Sequence, residues 1–124
     1  MRARGFTLME LMVVMAIIAS LMTLALPRYF NSVERSREAV LRQDLSIMRD
    51  AIDKFFADRG RYPNTLDELA ERRYLRRVPV DPVTESASTW VVVAPPEGEV
   101  REGVYDVRSG APGQSLDGEA YESW

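Results

Sequence analysis

From Phe6 to Leu26 the chain is apolar at nearly every position, and across those 21 residues the only charge is Glu10. A basic tip, Arg2 and Arg4, precedes the run, and Pro27-Arg28 closes it. As a helix this run rises about 31 Å, close to the thickness of a bilayer's hydrocarbon core. It therefore predicts one membrane span. Beyond Pro27 the pattern changes. Val33, Val40, Leu41, Leu45, Met48, Ile52, Phe55 and Phe56 recur near i, i+4, i+7, i+11, while Arg35, Glu38, Arg42, Arg49, Asp53 and Lys54 take much of the remainder. That spacing predicts an amphipathic helix whose charges form a solvated face. Pro27 is expected to kink the helix without ending it. Gly60 is its natural stop, after about Asp58. Counted from Phe6, the helix has about 53 residues and a length of roughly 80 Å.

The apolar stripe of that helix must be covered by the chain downstream of it. Arg61-Tyr62-Pro63-Asn64 is a turn, and Thr65-Leu66-Asp67-Glu68 has the spacing of a capping box that opens a short helix ending near Arg73, with Leu66 and Leu69 facing inward. Val78-Pro79-Val80-Asp81-Pro82 is extended, because each residue before a proline is pushed toward the β region. Residues 89–94 and 103–108 read as strands, with Pro95-Pro96-Glu97-Gly98-Glu99 in the loop between them. Residues 109–124 have neither period, and Tyr121 and Trp124 are the side chains able to pin them down. The predicted class is α+β: one long N-terminal helix packed on a short helix and a small antiparallel sheet, with an irregular C-terminal loop.

Composition narrows the chemistry. A chain of 124 residues holds one domain. Its net charge is −3, and −5 without Arg2 and Arg4, which argues against nucleic-acid binding. There is no His and no Cys, so a cysteine nucleophile, a histidine base and a zinc site are excluded or improbable, and no disulfide is available. The carboxylate pairs Asp67/Glu68 and Asp50/Asp53 lie on helical stretches without a phosphate cradle, and a solvated face explains them; no enzyme is expected. Arg72, Arg73, Arg76 and Arg77 form a basic cluster, serving either helix-dipole complementation and solubility or contact with a partner. The N-terminus is not an ordinary secretory signal, since its apolar run is too long. The basic tip places it in the cytoplasm and the remainder outside. A carboxylate at the start of a membrane helix is either solvated at headgroup depth or functional.

Gly5-Phe6-Thr7-Leu8-Met9-Glu10, with the apolar run ending in Pro27, resembles the N-terminal signature of the type IV pilin-like family (class III signal peptides). The resemblance implies that a prepilin peptidase cuts after Gly5 and N-methylates Phe6, and that the helix packs into a filament core where Glu10 pairs with a neighbour's Phe6 amine. It divides the chain into a leader (1–5), a transmembrane and filament-core helix (6–27) and a periplasmic pilin-like domain (28–124). Many members have glycine where this chain has Ala19, which puts unwinding of the anchor on assembly in question. The implied pairing is physically coherent. The Phe6 nitrogen is an uncharged amide until the cut makes it an α-amino group with a pKa near 8. A buried ion pair adds little net stability, but deleting one partner strands the other charge, so the pair sets register.

The remainder resembles the G-type major pseudopilin of type II secretion. The segments that carry this are residues 50–56, Gly60-Arg61-Tyr62-Pro63, Thr65-Leu66-Asp67-Glu68-Leu69, Asp81-Pro82, Tyr105-Asp106 and a glycine-rich acidic tail ending in Trp124. The resemblance implies a structural subunit of an inner-membrane pseudopilus that extends into the periplasm and helps drive folded proteins across the outer membrane. Implied partners are other copies of the chain, the prepilin peptidase, the inner-membrane assembly platform and minor pseudopilins. The rival within the family is a type IV pilin or minor pilin for adhesion, motility or DNA uptake; the missing Cys pair disfavours it. A monomeric membrane-anchored binding module would leave Glu10 unexplained. G-type members often hold one calcium ion in the C-terminal loop, which here implies Ser115, Asp117, Glu119 and Glu122 with carbonyls near Gly110, Gly113 and Gly118. Family tails carry aspartates where this chain reads Gly110-Ala111-Pro112-Gly113, so a metal-free loop held by Tyr121 and Trp124 is the alternative.

Overall fold

The computed structural model describes residues 4–98 and 102–124. Helix α1 spans Leu8–Arg59 and runs through Pro27; α2 spans Leu66–Glu71; strands β1 (Val91–Val93) and β2 (Asp106–Arg108) pair; a single 3-10 turn covers Tyr121–Ser123. This is the α+β, pilin-like order of elements predicted. The chain divides into two units, Met1–Glu34 and Arg35–Trp124.

In the second unit α1 buries Glu38, Leu41, Leu45, Met48, Ala51, Ile52 and Phe55. Leu69 of α2, Leu75, Trp90, Val104, Val107, Ala111 and Tyr121 complete the core. Each large apolar side chain taken from water there contributes roughly 2 kcal/mol. Two positions depart from the stripe predicted. Val40 is exposed, and Glu38, expected on the solvated face, is buried. α1 ends where Gly60 adopts φ +69 and donates its N–H to the Phe56 carbonyl at 2.8 Å. At the edge of the core Arg49 donates from Nε to Asp106 at 2.9 Å and from Nη2 to the Val107 carbonyl at 3.0 Å, which ties α1 to β2.

The sheet has two antiparallel strands in the register Val91↔Arg108, Val92↔Val107 and Val93↔Asp106. Both strands are shorter than their sequence patterns. Trp90 turns inward and donates its indole N–H to the Pro79 carbonyl at 2.8 Å. Val104 gives its N–H to the Pro63 carbonyl at 2.7 Å instead of to β1. The backbone at Gly110 passes so close to Thr89 that a Cβ there would collide with the Thr89 carbonyl oxygen. Part of the loop joining the strands, Glu99 included, lies outside the described residues.

The capping box forms with a variation. Thr65 Oγ1 accepts from the Glu68 N–H at 3.2 Å, but the Glu68 carboxylate reaches back to the Asn64 N–H at 2.6 Å and to Arg61 Nη2 at 2.6 Å. The Arg61 guanidinium, followed by the Asn64 N–H, holds the Glu68 carboxyl below the usual glutamate range. At the far end, Arg73 donates to the Ala70 carbonyl and Tyr74 to the Leu69 carbonyl, a Schellman motif. Its left-handed residue is Arg73, at φ 64.

A depressed acid stabilises the fold above its unfolded pKa, near 4.3, and loses that contribution as pH falls through the folded value. Wild-type chain in detergent should therefore exceed Glu68→Gln in thermal stability at neutral pH, with the gap closing as pH drops below about 4.3. Tryptophan fluorescence suits the measurement, since Trp90 and Trp124 both lie in the second unit. A gap of constant size across the acid range would assign the titration to another group.

Candidate processing and assembly site

The first unit presents an apolar surface with nothing of its own to cover it. Every residue from Arg4 to Ser32 is exposed, and one stretch of α1 has the length and hydropathy to cross a membrane while none of it is buried within the chain. The hydroxyls inside the run are already satisfied. Ser20 Oγ donates to the Ala16 carbonyl and Thr23 Oγ1 to the Ala19 carbonyl, each at 2.8 Å. This i−4 back-bonding removes the main objection to placing them in lipid.

The helix opens on a reciprocal cap. Thr7 Oγ1 accepts from the Glu10 N–H at 3.1 Å, while Glu10 Oε2 accepts from the Thr7 N–H at 2.9 Å. Two of the orphan donors at the helix start are thereby filled, and the carboxylate lies at the positive end of the helix dipole. Phe6, 92% exposed, lies just outside the cap, with Gly5 before it. A Cβ built on Gly5 meets nothing within 4 Å. The subunit's own fold therefore makes no demand for glycine there. Met1, Arg2 and Ala3 of the expected leader lie outside the described residues.

At the other end of the chain, the tail is gathered by Glu38. Its Oε1 accepts from the Leu116 N–H at 2.7 Å and from the Tyr121 hydroxyl at 3.3 Å. Arg42, one turn further along α1, places its guanidinium 4.3 Å over the Trp124 ring, which meets Tyr121 edge-on. Within the loop, Ser115 donates its N–H to the Glu119 carbonyl at 2.7 Å and accepts the Gly118 N–H at 3.0 Å. Tyr121 and Trp124 thus hold the tail as expected, through two α1 side chains that the stripe pattern had placed in solvent.

Residues 1–26 match the prokaryotic N-terminal methylation motif. The chain is 31% identical to the type II secretion system core protein G of Escherichia coli K12, over 90% of this chain and 83% of that protein. It is 33% identical to the protein of that name from Klebsiella pneumoniae, over 65% of this chain and 69% of the relative. The chain belongs to the type II secretion core protein G family. A type IV major pilin protein PilA, from Myxococcus xanthus, is 37% identical over 55% of this chain and 31% of its own length. No solved structure matches.

Glu10 lies in the first turn of α1, with Gly5 and Phe6 just before it, so the three residues expected to serve processing and assembly fall together. The Thr7–Glu10 cap was legible, because it has the Thr-x-x-Glu spacing that marks Thr65–Glu68. Glu38 was missed, although a register in the sequence marks it. Glu38, Leu41, Leu45, Met48, Ile52 and Phe55 step by three and four, a register that leaves Val40 out. The residues implied for calcium are differently arranged. Ser115 Oγ accepts from the Glu119 N–H at 3.2 Å, Asp117, Glu119 and Glu122 are exposed, and no group of three metal-ligating side chains is gathered among the described residues. As placed, these groups do not fit a shell of six to eight oxygens.

Calcium organises a loop by collecting oxygen acceptors; Glu38 does so by collecting donors. Glu38→Ala strands the Leu116 N–H and should cost about 2 kcal/mol, a fall in midpoint of roughly 8–16 °C. Excess chelator should leave the wild-type midpoint unchanged. A melt in which chelator lowers the midpoint and Glu38→Ala leaves it alone would reverse the assignment.

Proposed function

We propose that this chain is a structural subunit of a type II secretion pseudopilus, polymerising through its N-terminal helix to help drive folded proteins across the outer membrane. The observation that carries this reading is the similarity to core protein G along nearly the whole of both chains, anchor and compact unit alike. The anchor supplies the means. Its apolar surface serves first in the inner membrane, with the second unit in the periplasm, and then against other copies in a filament core. The chain works without catalysis: it is a substrate of the prepilin peptidase and a building block afterwards. Its tail is held by Glu38, with no calcium requirement. Other partners are the inner-membrane assembly platform and the minor pseudopilins. The pilin reading takes second place because the PilA likeness covers under a third of that protein.

The peptidase hydrolyses the Gly5–Phe6 amide, leaving a carboxylate on the leader and a protonated amine on Phe6. Glu10 has one oxygen committed to its own Thr7 N–H, and the carboxylate offers further lone pairs to an incoming amine. A neighbour offset along the filament supplies that amine. The pairing fixes the stagger between subunits, and apolar contact supplies the adhesion.

Intact mass of chain extracted from membranes with active peptidase should correspond to a start at Phe6 with one added methyl group. Gly5→Ala should accumulate as uncut precursor, folded as the wild type is, since the added methyl meets open space. Glu10→Ala should insert and be cut yet assemble poorly, by a factor of about one hundred or more for a stranded charge of several kcal/mol. Normal maturation of Gly5→Ala, or wild-type filament yield from Glu10→Ala, would each refute the corresponding role.

A further inference from the structure

The second unit carries a groove and a knob that complement each other. The groove, of about 410 Å³, runs beside α1 between Ile47 and the segment Leu75–Val80. Ile47 and Val80 are 45% and 50% exposed, so part of its lining is apolar and open to solvent. Arg76 and Arg77 line it, both exposed, against a single carboxylate, Asp44. Neither arginine makes an ion pair among the described residues. Just before them stand Arg72 and Arg73, also exposed. Four arginines within six positions of a net acidic chain repel one another unless anions come to them. Arg73 adds an independent observation. It occupies the left-handed position of the Schellman motif, where glycine avoids a cost of roughly 1 kcal/mol. A side chain held there against its backbone preference points to use of the side chain.

The knob is Leu116. It is 46% exposed at the tip of the turn that Ser115, Gly118 and Glu119 close, and its own N–H is fixed by Glu38. Asp117, Glu119 and Glu122 surround it in sequence, all exposed and none in an ion pair among the described residues. An exposed leucine followed in sequence by exposed carboxylates matches a partly apolar groove that two guanidiniums line. We propose that the Leu116 turn of one subunit docks into the Ile47–Val80 groove of a second copy, with Arg76 and Arg77 meeting Asp117 and Glu119. The contact joins different residues of the two copies, so it is head-to-tail, the kind of contact that extends into a filament when its rotation does not close. Complementary charge selects the partner and the register, and the apolar contact keeps the ion pairs partly dry.

This inference rests on the filament reading above, and the test separates the two. The chain has no cysteine, so engineered thiols stand alone. Full-length Val80→Cys and Leu116→Cys chains, carrying different tags, are co-expressed with the assembly machinery and oxidised. A mixed disulfide should form, and should disappear when both chains also carry Gly5→Ala. Filaments without the mixed disulfide overturn the docking and spare the filament reading; absence of filaments from wild-type chain overturns the filament reading itself. In parallel, the pair Arg76→Glu with Arg77→Glu, and the pair Asp117→Lys with Glu119→Lys, should each lower filament yield about tenfold, and their combination should restore most of it. Melting curves verify that each variant folds. Wild-type yield from both pairs, or a combination no better than either, overturns the proposal.

Discussion

An apolar surface that its own chain does not cover is the constraint that shapes the whole molecule. Along the first part of α1 it is total: no residue from Arg4 to Ser32 is buried, and the exposed side chains include Phe6, Leu8, Met9, Met12 and Ile17. Such a surface is stable only in lipid or against other protein. Further along α1 the demand is met internally. Leu41, Leu45, Met48, Ile52 and Phe55 find Leu69, Trp90, Val104 and Val107 on later segments of the chain. One helix thus serves two environments, and the change in its pattern after Pro27 marks the change of environment.

Polar groups do the positioning. Asp81 is fully buried yet accepts from the Val83 and Thr84 N–H groups and from Ser109 Oγ, so it joins the loop after Val80 to the end of β2. Glu38 joins the tail to α1, Arg49 joins β2 to α1, and Arg61 joins the end of α1 to α2 through Glu68. Each is a charged side chain reaching a backbone group or an opposite charge across a short span. A unit with no disulfide needs such ties, because its short strands bury little on their own.

The long helix, its stop at Gly60, the second helix and the identity of both strands were legible because each rests on a local rule: period, αL glycine, capping spacing, alternation. What escaped depended on contacts distant in sequence. The inward turn of Trp90 is set by Pro79, the early exit of Val104 by Pro63, and the closeness of Gly110 by Thr89. No local pattern encodes those pairings. Arg73 escaped for the opposite reason, since local preference favours glycine at its φ. At the anchor, the roles expected of Gly5, Phe6 and Glu10 come from the resemblance alone, whereas reading Glu10 for its charge hid its part in the cap. Glu38 was hidden in the same way by being counted as a charge before being counted as a register position.

The back-bonded hydroxyls of Ser20 and Thr23 carry a consequence for how a subunit leaves the bilayer. With both protons committed to carbonyls of the same helix, the surface between Leu11 and Leu26 holds no donor seeking an acceptor elsewhere. Hydrocarbon tails and a neighbouring helix are then close to interchangeable surroundings for it, because neither exchange breaks a hydrogen bond. Extraction becomes a matter of trading one set of dispersion contacts for another of similar strength. The direction of the traffic can then be set by small terms, such as one amine finding one carboxylate.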